Sequence, residues 1–149
     1  MLLIYRYLTN LLFPVLIILV YFRIFLNKED KFRFKEKIFP SFFYSNKNPK
    51  KKLIWFHAAS IGEVSSIISL IKKLNTDDIN FLITSVTLTS GKLIEKELGS
   101  NQNLIHKYFP LDCYFLVNKF LSLAKPDIAM FVDSEIWPNF LFEIKKRKI

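Results

Sequence analysis

The sequence predicts an α/β domain built on a parallel sheet with helices on both faces, preceded by an N-terminal hydrophobic membrane-anchor helix. Three observations carry this. Four short apolar runs begin near residues 53, 79, 104 and 127, a spacing of about 25 residues that suits a strand, a short loop and a crossover helix. Between the runs, apolar residues recur at helical spacing, as in Val64, Ile67, Ile68, Ile71 and Leu74. Ahead of them all, Leu2 to Leu26 is almost wholly apolar and aromatic.

Composition removes several classes. The chain has 149 residues, 51% of them hydrophobic and 16% aromatic, which fits one domain with a real core and not a core-less disordered chain. Cys113 is the only cysteine, so there is no disulfide scaffold. His57 and His106, the two histidines, are too few and too far apart to complete a zinc finger. Gly62, Gly91 and Gly99 cannot write a G-x-G-x-x-G or Walker-type loop.

The net charge of +9 is concentrated. From Arg23 to Lys52 there are ten Lys or Arg against Glu29, Asp30 and Glu36, a net +7 directly behind the hydrophobic N-terminus. No recognised nucleic-acid motif accompanies these bases, so nucleic acid is not an expected partner. The uncharged stretch from Tyr7 to Phe22 has 16 residues, about 24 Å as a helix against a hydrocarbon core of roughly 30 Å. Arg6 and Arg23 are placed to snorkel at its two ends. Tyr21 to Phe25 offers no small-residue cleavage site for a signal peptidase. The lysine-rich flank puts everything after residue 23 in the cytoplasm by the positive-inside rule. Phe32, Phe34, Phe39, Phe42, Phe43 and Tyr44 interleave with the bases, as in a segment lying on anionic inner-membrane headgroups. The alternative is a buried core helix followed by a solvated basic loop. The expected organisation is an anchor over 1–26, a basic and aromatic membrane-proximal segment over 27–52, and a Rossmann-like domain over 53–149.

Within that domain the strands are expected at 53–57, 79–85, 104–108 and 127–132, and the helices at 62–74, 89–98, 112–124 and 136–148. The nearly continuous apolar strands call for a parallel sheet covered on both faces. Gly99 stops the second helix, Lys125-Pro126 the third, and Pro138 sits at the start of the fourth, where proline is tolerated.

Ligands of open parallel sheets bind beyond the carboxyl ends of the strands, and three polar clusters fall there. In His57-Ala-Ala-Ser-Ile-Gly-Glu63, Ser60 and Glu63 have the spacing of a capping box. Glu63 is also a candidate general base, a carboxylate held charged by the helix N-terminus; spacing does not separate the two. In Thr84-Ser-Val-Thr-Leu-Thr-Ser-Gly91, hydroxyls and helix-start N–H groups can hold a phosphate or sugar oxygen, or simply cap. In Asp133-Ser-Glu-Ile-Trp-Pro-Asn139, two acids, an indole and an amide suit a sugar. Equally, Ser134 and Glu135 suit a helix cap with Trp137 packed inward. His57, His106 and Cys113 read as packing residues.

Together these clusters, with Tyr108-Phe-Pro-Leu-Asp112 and Lys125-Pro-Asp127, resemble the N-terminal half of bacterial 3-deoxy-D-manno-octulosonic acid (Kdo) transferases, the lipid A glycosyltransferases. The hydrophobic N-terminus and Arg33-Phe-Lys-Glu36 sit where that family has its anchor and a basic motif. The resemblance implies a two-domain GT-B fold with the acceptor-binding domain first. It implies transfer of Kdo from CMP-Kdo to a tetra-acylated lipid A precursor in lipopolysaccharide biosynthesis, inverting, with neither cofactor nor metal. Glu63 falls on the family's base. Ser60, Gly62, Thr87, Thr89 and Ser90 fall on cleft-lining positions, and Asp133, Glu135, Trp137 and Asn139 on acceptor-side or supporting ones. Asp133 stands where the family motif has glutamate. The expected partners are the lipid A precursor, anionic inner-membrane lipids at the cytoplasmic face, and a donor-binding C-terminal domain. That domain is absent from the 149 residues, so this half is expected to be inactive alone. A non-catalytic lipid-A-binding module that has lost its donor domain is the alternative, and an unrelated anchored protein in which Glu63 only caps is a third.

Overall fold

The computed structural model describes residues 1–46, 50–74, 76–133 and 136–149. Its strands are β1 (Lys52–His57), β2 (Ile79–Ser85), β3 (Leu104–Tyr108) and β4 (Ile128–Phe131). All pair in parallel in the order β3-β2-β1-β4. The helices that connect or follow them are α4 (Ile61–Leu74), α5 (Leu88–Leu98), α6 (Tyr114–Ala124) and α7 (Pro138–Arg147). Three helices precede the sheet: α1 (Leu2–Leu11), α2 (Phe13–Phe25) and α3 (Lys35–Ile38), with a 3-10 turn at Pro40–Phe42.

Period-two alternation along β1 builds two cores. Leu53 and Trp55 join Phe109, α6 and Phe140 of α7 in one layer, while Ile54 and Phe56 join Val64, Ile67 and Ile71 of α4 and Ile94 of α5 in the other. Helices on both faces leave β1 and β2 no solvent face, which is why their sequence reads as unbroken apolar runs. Trp55 is fully buried among Phe109, Phe120, Phe131 and Phe140, with ring centroids 5.1–6.2 Å away. Its indole N–H donates to Thr84 Oγ1 at 2.9 Å. Asp127, just ahead of β4, accepts from the Leu53 amide at 2.7 Å. At the sheet's other end, Asp133 follows β4 in the left-handed region, φ 63°.

The strand order makes a topological switch. Chain travel from β1 to β3 steps outward one way, and α6 then carries it back so that β4 pairs with the other side of β1. The carboxyl ends of β1 and β4 therefore flank the crevice where such sheets bind ligands. There the Val132 amide donates to the carbonyl of His57 at 2.9 Å.

The N-terminus departs from the expected single helix. α1 and α2 meet at a 57° bend, and among the described residues no single helix is long and apolar enough to cross a membrane. Pro14 is the physical reason: it fits the first turn of α2 but lacks the N–H a helix running through from α1 requires. Arg6 is not free to snorkel either. Its guanidinium donates to Glu143 Oε1 at 2.7 Å and lies over the Tyr114 ring at 4.1 Å. Tyr5 donates to Asp112 at 2.8 Å, so α1 is fastened to α6 and α7 by polar contacts. Arg23 donates to Glu29 at 2.8 Å.

The basic segment is divided in the same way. Lys28, Lys31, Phe32 and Lys35 are exposed, but Phe34, Phe43 and Tyr44 belong to the cores. Lys37 is buried, donating to Glu29 at 2.6 Å and to the Val86 carbonyl at 2.8 Å. Arg33 is bidentate on Glu36 at 3.1 Å and also donates to the His106 carbonyl at 2.9 Å. This stretch is thus a strap packed beside β3, with only part of its charge facing outward.

Candidate active site at the carboxyl edge of the sheet

Ser60 and Glu63 form the reciprocal pair that their spacing predicts. The Glu63 amide donates to Ser60 Oγ at 3.3 Å, the Ser60 hydroxyl donates to Glu63 Oε1 at 2.6 Å, and the Ala59 amide donates to Glu63 Oε2 at 2.7 Å. A carboxylate has about four lone-pair positions, and these two donors use one on each oxygen. The half-buried Glu63 side chain is therefore oriented with acceptor capacity to spare, at a helix N-terminus that favours negative charge. Capping and proton acceptance are compatible in this geometry. Gly62, next to it, is exposed, and a Cβ there would meet only Ser60 Oγ at 3.9 Å.

The loop after β2 meets this one. Thr87 caps α5 by accepting from the Ser90 amide at 3.2 Å, and the buried Ser90 hydroxyl donates to the Ala59 carbonyl at 3.1 Å. Thr87 and Thr89 hydroxyls lie 3.3 Å apart, with Thr89 exposed at the edge. Ser60, Glu63, Thr87, Thr89 and Ser90 are thus one connected cluster. Gly91 beside them serves packing, since a Cβ there would lie 2.6 Å from the Tyr108 hydroxyl.

The third cluster is only partly in view. Ser134 and Glu135, for which capping and supporting roles are expected, lie outside the described residues. Asp133 is exposed at the end of β4. Asn139, expected as an acceptor-side or supporting residue, is fully buried and donates from Nδ2 to the Asp112 carbonyl at 2.6 Å, which holds α7 to the loop before α6. The cap of α7 comes from far away in sequence: Asp112 accepts from the Asn139 and Phe140 amides, each at 3.2 Å. Asp112 lies before α6 rather than in it, because that helix begins at Tyr114. Burial pushes its carboxyl up, while the Tyr5 hydroxyl and those two amides pull it down.

Trp137 packs inward, 5.2 Å from Phe109 and 6.3 Å from His57 between ring centroids. Its buried indole N–H has no partner among the described residues. His57 stacks on Phe109 at 3.8 Å, and its Nδ1 lies 3.2 Å from the Thr84 carbonyl. A carbonyl only accepts, so Nδ1 carries the proton and buried Nε2 is left as an unpaired acceptor. Burial pushes the His57 pKa down to about 3, so the ring is neutral. Among the described residues no three His, Cys, Asp or Glu side chains converge as metal ligands.

A four-stranded parallel α/β domain with a glutamate after β1 and a hydroxyl-rich loop after β2 at the carboxyl edge of its sheet defines the class. Residues 32–149 match the family described as 3-deoxy-D-manno-octulosonic-acid transferase (Kdo transferase), and the chain belongs to that family. It is 31% identical over 145 residues to the 3-deoxy-D-manno-octulosonic acid transferase of Rickettsia bellii, covering 96% of this chain and 34% of that protein. It is 30% identical over 110 residues to the Haemophilus influenzae transferase of the same name, covering 72% and 25%. A probable mitochondrial 3-deoxy-D-manno-octulosonic acid transferase of Arabidopsis thaliana is 33% identical over 95 residues, covering 62% and 21%. The chain therefore spans about a third or less of the length of these relatives.

Proposed function

We propose that this chain is the acceptor-side domain of a GT-B Kdo glycosyltransferase that moves Kdo from CMP-Kdo to a lipid A precursor at the cytoplasmic face of the inner membrane. The observation that carries the proposal is the positioning of Glu63. Its carboxylate is fixed by Ala59 and Ser60 at the carboxyl end of β1, with the Ser90 loop closing on the same residue, Ala59. Family membership supports the reaction class.

Glu63 accepts the proton of the attacking glucosamine hydroxyl as that oxygen bonds to the anomeric carbon of Kdo. The bond from that carbon to the CMP phosphate oxygen breaks on the opposite side, the centre inverts, and CMP leaves with the electron pair. Thr87, Thr89 and Asp133 line the acceptor's path. CMP-Kdo sits on a donor-binding domain that closes over this edge, and the acceptor-side domain does not turn over without it. The membrane side is the exposed apolar surface of α1 and α2, including Leu3, Ile4, Tyr7, Ile18 and Phe25. Lys28, Lys31, Phe32 and Lys35 meet the anionic headgroups beside it.

The test is Glu63→Gln and Glu63→Ala in the complete protein, assayed for Kdo transfer and for stability. Loss of the base lowers turnover by about 10²–10⁴-fold, with a stability loss of about 1 kcal/mol from the cap. Retained turnover with only the stability loss would make Glu63 a cap and remove the proposal.

A further inference from the structure

Lys37 and its partner Glu29 are each only 4% exposed. The Lys37 ammonium donates to Glu29 Oε2 at 2.6 Å and to the Val86 carbonyl at 2.8 Å. The other Glu29 oxygen accepts from Arg23, in the last turn of α2, at 2.8 Å. The backbone of Lys37 is fixed as well, because the Leu111 amide donates to its carbonyl at 3.0 Å. A buried ion pair adds little stability over an apolar pair of similar volume, so stability does not account for a lysine here. What an apolar side chain lacks is the bond to Val86. That carbonyl lies one residue past the last pair of the β2–β3 ladder, Ser85 with Tyr108, beyond the reach of the sheet's own donors.

From Val86 the contacts run on to the carboxyl edge of the sheet. The Val86 carbonyl and the Thr87 amide share one peptide plane, and Thr87 caps α5. The Ser90 hydroxyl donates to the Ala59 carbonyl at 3.1 Å, so the hydrogen between the Thr87 and Ser90 hydroxyls comes from Thr87. The Ala59 amide in turn donates to Glu63 Oε2 at 2.7 Å. Resting on the reading of Glu63 as the base, we propose that Lys37 is a positioning residue for it. The Lys37 ammonium, braced by Glu29 against α2, fixes the Val86–Thr87 peptide. Thr87, Ser90 and Ala59 carry that constraint to the Glu63 carboxylate. Lys37 is itself sealed from the crevice, so changing it removes no contact with a substrate.

The test separates positioning from folding by restoring one without the other. In the complete protein, Lys37→Met is expected to lower kcat for Kdo transfer by about tenfold to a hundredfold, with KM nearly unchanged. Lys37→Met combined with Glu29→Leu makes the pair apolar, so the urea midpoint recovers toward that of the unchanged protein while kcat stays low. Lys37→Met combined with Ser90→Ala is expected to fall no further than the slower single variant, because both act through one loop. If kcat recovers together with the urea midpoint, Lys37 serves the fold alone. If the Lys37 and Ser90 losses multiply, Lys37 does not act through the Ser90 loop. Either result overturns the positioning role. Glu63→Gln is assayed alongside: turnover lost there but kept in Lys37→Met removes only the role of Lys37, and the base reading stands. Turnover kept in Glu63→Gln removes the base reading, and the role of Lys37 goes with it.

Discussion

The Ser90 hydroxyl donates to the carbonyl of Ala59 at 3.1 Å, while the amide of Ala59 donates to Glu63 at 2.7 Å. One residue thus links the loop after β2 to the carboxylate after β1. Ser90→Ala leaves a buried carbonyl short of a donor and costs about 1 kcal/mol. In the complete enzyme its signature is a fall in kcat of about tenfold with KM nearly unchanged, since Glu63 is displaced and the acceptor's own contacts remain. Steady-state kinetics beside urea unfolding checks both.

Gly91 lets α5 approach β3. A Cβ would lie 2.6 Å from the Tyr108 hydroxyl and 3.0 Å from His106 Cε1, and Tyr108 is too tightly enclosed to step aside. Gly91→Ala is expected to destabilise by about 1–3 kcal/mol, with a lower Tm in a thermal melt.

Arg6 and Glu143 form the pair that fastens α1 to α7, and Glu143 is 1% exposed. Arg6→Ala leaves that carboxylate with Arg147 at 3.9 Å as its remaining cation. The expected loss is about 3 kcal/mol, together with faster proteolysis near residue 12 in detergent. Arg6→Met combined with Glu143→Leu is expected to recover most of it, because the apolar pair carries no desolvation cost.

His57 is neutral when folded, its pKa pushed down from 6.5 to about 3 by burial. Between those two values the unfolded chain binds the proton and the folded chain does not, so stability falls as pH drops. The slope for one such histidine approaches about 1.4 kcal/mol per pH unit. His106 is pushed down to about 3 by burial and by Arg33 and Lys107, and adds a second contribution. Urea midpoints from pH 7 to 5 are expected to fall steadily, with the slope about halved in His106→Asn.

The sheet was legible because its causes are local. The central runs that became β1 and β2 are apolar without alternation, as two-sided burial demands, and Gly99 and Lys125-Pro126 end helices where backbone chemistry requires. Ser60 and Glu63 were legible as a pair for the same reason, lying three residues apart on one helical turn. What stayed hidden depends on distant partners. Asp112 caps a helix 26 residues further on, which no window around Pro138 can show. Whether Asn139 faces the acceptor or supports the site was open in the sequence, because an exposed amide and a buried one look alike until Asp112 is placed. Lys37 looked like one more surface base, and only folding reveals Glu29 and the Val86 carbonyl waiting for it. The break before Pro14 carried a visible signal, the proline itself, which the surrounding hydrophobicity masked.

Asp133 leaves β4 wound in the hand opposite to the rest of the backbone, at φ 63°. Residues that tolerate this turn are glycine and short side chains able to bond locally, asparagine and aspartate foremost. The missing methylene at this position is thus a conformational economy: the chain keeps a carboxyl side chain at the end of β4 in a residue type that accepts the left-handed turn.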